Sequence, residues 1–137
     1  MLGTLEGILN SISKGMLITV EDLIIAEAFD DILEQGEYLF QQGYLLAAGV
    51  LGRAVLEEHL RKWCGRTGCM PQKAKPTLDD YKSALYSIQA MDKVTMKHVE
   101  AMAAVGNDAA HAKQVQKEDI ERFITDVRQF LVRHPLP

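Results

Sequence analysis

Apolar residues recur by threes and fours along most of this 137-residue chain, and that spacing restricts its fold more than any other feature. Between residues 44 and 65 it runs through Leu45, Ala48, Gly52, Val55, Leu56, Leu60 and Trp63. Such spacing lines one side of a helix, whereas a half-buried strand alternates at every second position. A second stripe of Ile120, Phe123, Ile124, Val127, Phe130 and Leu131 predicts a helix from about Lys117 to Arg133, ended by Pro135 and Pro137. Residues 21–42 carry Ile25, Phe29, Ile32 and Leu39 or Phe40 at helical spacing. They open with Glu21 and Asp22, acids suited to the positive end of a helix. Gly36 weakens the middle of that segment, and Gly43 ends it or kinks it into the next.

The remaining punctuation divides the chain into further helices. Gly65-Arg66-Thr67-Gly68 stops the 44–65 helix, and a basic loop follows with Pro71, Lys73, Lys75 and Pro76. Thr77-Leu78-Asp79-Asp80 then reads as an N-cap with acidic first-turn residues, turning Leu78, Tyr81, Leu85 and Ile88 inward. Thr95 is a candidate cap for a helix through Val99, Met102 and Val105. Residues 1–20 are expected to be a short helix or an arm that docks on a partner. No alternation, hairpin dipeptide or repeat stands out. The expectation is an all-α fold, an antiparallel four- to five-helix bundle forming one domain over residues 1–137. Ala47, Ala48, Gly49 and Gly52 mark where a neighbouring helix can come close.

Composition agrees with a folded, non-membrane chain. Its 47% hydrophobic and 25% charged residues are those of a globular protein. No apolar run approaches the roughly 18 residues that span a bilayer. The apolar N-terminus contains Glu6 and lacks a basic leader, which argues against a secretory signal. Net charge is −4, but residues 1–42 hold eight acids against Lys14 alone, while residues 53–97 hold nine bases against five acids. Opposite charge on different elements favours pairing within or between subunits, and the basic half suits a phosphate-bearing partner. Cys64 and Cys69 are too few for a disulfide framework and read as reduced thiols of a cytoplasmic protein. Their spacing also lacks the tight pairing of common zinc sites, so no metal or cofactor is expected.

Two polar constellations remain. Gly106-Asn107-Asp108-Ala109-Ala110-His111 concentrates an amide, a carboxylate and an imidazole at the end of an apolar segment. If helical, Asn107, Asp108 and His111 share one side. On the 44–65 helix, Arg53, Glu57 and Arg61 follow at spacings of four, with Glu58 and His59 adjacent. Read alone this is a solvated face of weak ion pairs. A central helix would instead require each buried charge to find a partner.

The order of these features resembles the HEPN superfamily. The residues are Gly52-Arg53-Ala54-Val55-Leu56-Glu57-Glu58-His59-Leu60, a basic loop, Thr77-Leu78-Asp79-Asp80-Tyr81, and Gly106 to His111. More narrowly, the chain is similar to a bacterial branch with an Arg-x-x-Leu-Glu helix and a late Gly-Asn-x-Ala-Ala-His element. The likeness runs from about residue 21 to the C-terminus. It implies a four- or five-helix bundle, commonly a homodimer, met in prokaryotic defence, toxin–antitoxin and mobile-element settings. Many members are metal-independent ribonucleases whose motif is an arginine followed by histidine, frequently Arg-Asn-x-x-x-His. Asn107 and His111 match, but Gly106 stands at the arginine.

Three functional readings follow. In the first, Arg53, Glu57, Asn107, Asp108 and His111 form the binding site of a noncatalytic module for RNA, a nucleotide or a protein partner. Arg61, Lys62, Arg66, Lys73 and Lys75 are the candidate phosphate contacts. In the second, His111 is the general acid or base of a ribonuclease, Asn107 orients the phosphate and Arg53 replaces the missing guanidinium. In the third, the chain is a structural oligomerisation domain. The missing arginine favours the first.

Overall fold

The computed structural model describes residues 2–137, with side chains from Val20 onward. Five helices follow one another: α1 (Leu2–Gln41), α2 (Leu45–Thr67), α3 (Leu78–Ser87), α4 (Lys93–Ala110) and α5 (Lys117–Arg133). No strand occurs among the described residues, so the chain is all-α, as the spacing predicts. It divides into two units, residues 1–31 and 32–137.

The first unit is helical backbone belonging to α1, on which Val20, Leu23 and Ile24 are exposed. The helix does not begin at Glu21, as the acidic pair there suggested. Residues 2–20 contain no proline, and Gly3, Gly7 and Gly15 weaken a helix without breaking it. Residues 2–20 are therefore continuous with the helix that follows; the side chains of residues 1–19, and any docking by them, lie outside the described residues.

In the second unit α2 is central and packs against α3, α4 and α5, while α4 also packs against α3 and α5. The core draws Leu33 from the end of α1, Val55, Leu56 and Leu60 from α2, Leu85 from α3, Val99 from α4, and Ile120, Phe123, Val127 and Phe130 from α5. Small residues set how close the helices come. A Cβ added at Gly49 would lie 2.5 Å from Ala109 Cβ and 3.0 Å from Ile120 Cδ1, and one at Gly52 would lie 2.8 Å from the Phe123 ring. Ala48 is buried as well, whereas Ala47 faces solvent.

Local signals explain most boundaries. Gly43 takes φ 87° and closes α1, and Gly68 takes φ 74° and closes α2. Both are left-handed positions that cost glycine no Cβ clash. Thr77 caps α3 in a reciprocal box: its hydroxyl accepts from Asp80 N–H, and the Asp80 carboxylate accepts from Thr77 N–H at 2.9 Å. Ile88, expected inward, lies at the C-cap of α3 and is exposed. Thr95 is not the cap of α4; Asp92 is, accepting the Thr95 N–H at 2.7 Å. The carboxylate reaches the third residue of the helix, and Val94 and Lys93 form the turn before it.

Polar links also join the helices, two of them away from Arg53. Arg128 on α5 donates from Nη2 to Glu37 Oε1 at 3.0 Å, tying α5 to the C-terminal part of α1. Lys82, buried on α3, donates to Asp79 at 2.7 Å and to Glu100 on α4 at 2.9 Å.

Candidate functional site

The central position of α2 decides where its charges go. Arg53 leaves the helix beside α4, where Gly106 is buried. A Cβ at Gly106 would lie 3.0 Å from Arg53 Cβ, 3.2 Å from Arg53 Cγ and 3.1 Å from the Phe123 ring. The aliphatic stem of Arg53 therefore fills the space that a side chain at 106 would need. An arginine there would crowd Arg53 and the Phe123 ring, which must give way by a few tenths of an ångström for its Cβ alone.

The guanidinium continues past this contact to the polar residues. Arg53 Nε donates to Asn107 Oδ1 at 2.8 Å, and Nη1 donates to Glu57 Oε2 at 2.9 Å, one turn along α2. Arg53, Glu57 and Asn107, residues of two distant sequence segments, are thus neighbours. The Arg53 and Glu57 side chains are each about three-tenths exposed, so the pair sits at the rim of the helix contact rather than sealed inside it. Glu57 offsets the Arg53 charge, leaving a nearly neutral latch.

His111 and Asp108 belong to the edge of this arrangement. Helix α4 ends at Ala110, with His111 as its C-cap, its N–H donating to Asn107 O at 2.9 Å. The imidazole is exposed, and no hydrogen bond or ion pair joins it to Arg53 or Glu57 among the described residues. Asp108 is half-buried and pairs at 3.8 Å with Lys113. The chain turns at Ala112, which holds φ 54°. Beyond it an open groove of about 660 Å³ is lined by Tyr44, Leu46, Lys113 and Val115, among others.

The basic residues read as phosphate contacts are mostly engaged. Arg61 forms a two-pronged pair with Glu58, which Lys62 also approaches at 3.6 Å. That pairing with Arg61 first, then the charges of Arg61 and Lys62, hold the Glu58 carboxyl below its ordinary value despite partial burial. Lys73 pairs with Asp80 at 3.0 Å, and Arg66 donates to Pro137 O at 2.9 Å. Lys75 is exposed.

A second cluster was not anticipated. His59 is buried at the far end of α2, where its Nε2–H donates to His134 O at 2.7 Å. The rings of His59, Trp63, Phe130 and His134 pack together, with Phe130 and His134 centroids 4.8 Å apart and His98 edge-on to Phe130. Burial pushes the His59 imidazole below its ordinary range, against the raising effect of its bond to the His134 carbonyl. Burial lowers His134 too, with Asp92 opposing. A signal existed for His59: it lies four residues from both Val55 and Trp63, on the apolar stripe. No spacing rule connects it to His134.

Among the described residues, no group of three His, Cys, Asp or Glu side chains is placed to hold a metal ion, and no helix is long and apolar enough to cross a membrane. The chain matches no protein-family model, no curated protein and no solved structure at a significant level.

Proposed function

We propose that this chain is a noncatalytic HEPN-like module whose surface engages protein, beginning with a second copy of itself, rather than cleaving RNA. The observation that carries the reading is the engagement of Arg53. Its stem occupies the space beside Gly106, and its guanidinium is shared between Asn107 Oδ1 and Glu57 Oε2. A phosphate arriving there would have to compete with a carboxylate already 2.9 Å from the cation. Paired bases elsewhere (Arg61, Lys62 and Lys73) weaken the case for RNA further, since each phosphate contact must first break an ion pair. The acidic excess of residues 1–42 supports pairing between copies, with exposed bases such as Lys75 and Lys93 as its counterpart.

The experiment has two arms. Wild type and His111→Ala are incubated with a defined single-stranded RNA in chelator, and RNA binding is followed by fluorescence anisotropy at low salt. Expected are no cleavage by either protein and no low-salt RNA affinity, together with a salt-sensitive dimer by light scattering at micromolar concentration. Cleavage by wild type that His111→Ala abolishes overturns the reading. A strictly monomeric protein at low salt removes the self-association.

One observation favours a second reading, a metal-independent ribonuclease. His111 is exposed one turn after Asn107, and imidazole is the side chain most often used for proton transfer. In that reading Asn107 orients the phosphate and Arg53 exchanges Glu57 for it. The cleavage arm above separates the two.

A further inference from the structure

Cys64 and Cys69 stand five residues apart, and on an unbroken helix positions at that spacing point roughly 140° away from each other. The end of α2 removes that separation. Gly68 adopts φ 74°, the backbone reverses, and Cys69 N–H donates to Cys64 O at 3.0 Å. This six-to-one bond sets the residue after the left-handed position against the last full turn of the helix, where the two side chains ordinarily touch.

The sulfur environment follows from that turn. The six-to-one turn sets Cys69 beside Cys64, whose Sγ lies 3.5 Å from Tyr81 O on α3. Thr67 Oγ1 lies 3.3 Å from Cys69 Sγ while donating to Trp63 O at 2.9 Å, which holds the turn from its inner side. Both thiols are free; Cys64 is buried and Cys69 only partly so. Cys69 is therefore the more accessible of the two.

We propose that Cys64 and Cys69 are a reversible redox pair that reacts with low-molecular-weight disulfides, Cys69 as the attacking sulfur and Cys64 as the resolving one. The Cys69 thiolate attacks one sulfur of the small disulfide; a mixed disulfide forms on Cys69 and the first small thiolate leaves. Cys64 then loses its proton to solvent and attacks Cys69 Sγ, forming the Cys64–Cys69 bond and releasing the second small thiolate. The protein dithiol loses two hydrogens and is oxidised, and the small disulfide gains them as two thiols.

The two steps run at different rates. Burial, with the hydrogen bond to Cys69, pushes the Cys64 thiol up to about 12, so its thiolate is scarce near neutrality. Closure is slow, and the mixed disulfide is visible before it. Closure also takes from Tyr81 O its contact with the Cys64 thiol, which links the pair to α3.

The test treats the folded full chain with excess oxidised glutathione, quenches with acid at intervals and reads intact mass with peptide mapping. Wild type is expected to show a transient glutathione adduct on Cys69, then a product lighter than the reduced chain by two hydrogens and restored by dithiothreitol. Cys64→Ala stops at the adduct, and Cys69→Ser takes up none. A wild-type adduct that never closes, two thiols that stay reduced in the folded protein, or an adduct on Cys64 in Cys69→Ser overturns the proposal. Wild type and Cys69→Ser decide it even where Cys64→Ala does not fold.

Discussion

Gly49→Ala and Gly65→Ala add the same methyl group to the same helix and should move stability in opposite directions. At Gly65 an added Cβ meets nothing within 4 Å and the position is exposed, so the change acts on backbone freedom alone. Alanine is favoured over glycine there by about 0.5–1 kcal/mol. At Gly49 the same gain is opposed by contact: the new Cβ lies 2.5 Å from Ala109 Cβ and 3.0 Å from Ile120 Cδ1. Carbon atoms rest about 3.5–4.0 Å apart, so α4 must withdraw by roughly 1 Å. Overpacking of this kind costs about 1–3 kcal/mol, more than the propensity gain, and the net loss is about 1–2 kcal/mol. In a chain of this length each kcal/mol moves the melting temperature by about 3–4 °C. The two variants should therefore melt about 5–10 °C apart, with wild type between them. Circular dichroism through thermal and urea unfolding measures this. Ala109→Gly in the Gly49→Ala background relieves the contact and should show favourable coupling in the double-mutant cycle. Equal stabilisation by both alanines would refute the close approach of α2 and α4.

Four further outcomes follow from other contacts in the fold. His59 and His134 are held below the ordinary imidazole value, so on acidification the unfolded chain takes up protons first. Stability should fall as pH drops below about 6.5 and level once the folded imidazoles charge, and urea midpoints at about pH 7.5 and pH 5.5 measure the fall. His59→Gln should flatten that slope. Thr77→Ala removes one half of the α3 capping box and should cost about 1 kcal/mol, which Thr77→Ser largely restores in the same denaturation assay. Gly106→Arg, which places an arginine where the HEPN motif carries one, should lose about 1–3 kcal/mol through crowding of Arg53 and Phe123 and gain no cleavage. By contrast, Glu57→Gln, at a partly exposed pair, should cost less than about 1 kcal/mol in urea denaturation.

The helices were legible because burial imposes periodicity. Ile120, Phe123, Ile124, Val127 and Phe130 are all buried where the stripe placed them, and α5 has the bounds expected for it. Gly49 and Gly52 were legible as contact points because a missing side chain on a central helix has few other uses. Helix starts were less so: Thr95 and Asp92 are both acceptable caps in sequence, and only the backbone turn decides which oxygen reaches the free N–H groups. Arg53, Glu57 and Asn107 are neighbours, whereas His111 and Asp108, grouped with them in the sequence, stand at the edge; the crowding at Gly106 could not be read, because it comes from the Arg53 stem, 53 positions earlier. The His59–His134 contact was hidden for the same cause: it joins residues 75 apart through a backbone carbonyl, and a carbonyl has no sequence signature.

Arg53 has one consequence for how this surface can diversify. Its methylenes wedge two helices at fixed spacing while its nitrogens bridge an amide and a carboxylate, so packing and polarity are carried by a single side chain. Lysine would preserve the wedge and surrender the fork, and leucine would surrender both bridging bonds while leaving Glu57 without its counter-charge. Descendants of this chain that alter the rim's electrostatics must therefore work through Glu57 or Asn107, since the guanidinium between them is held in place by the architecture beneath it.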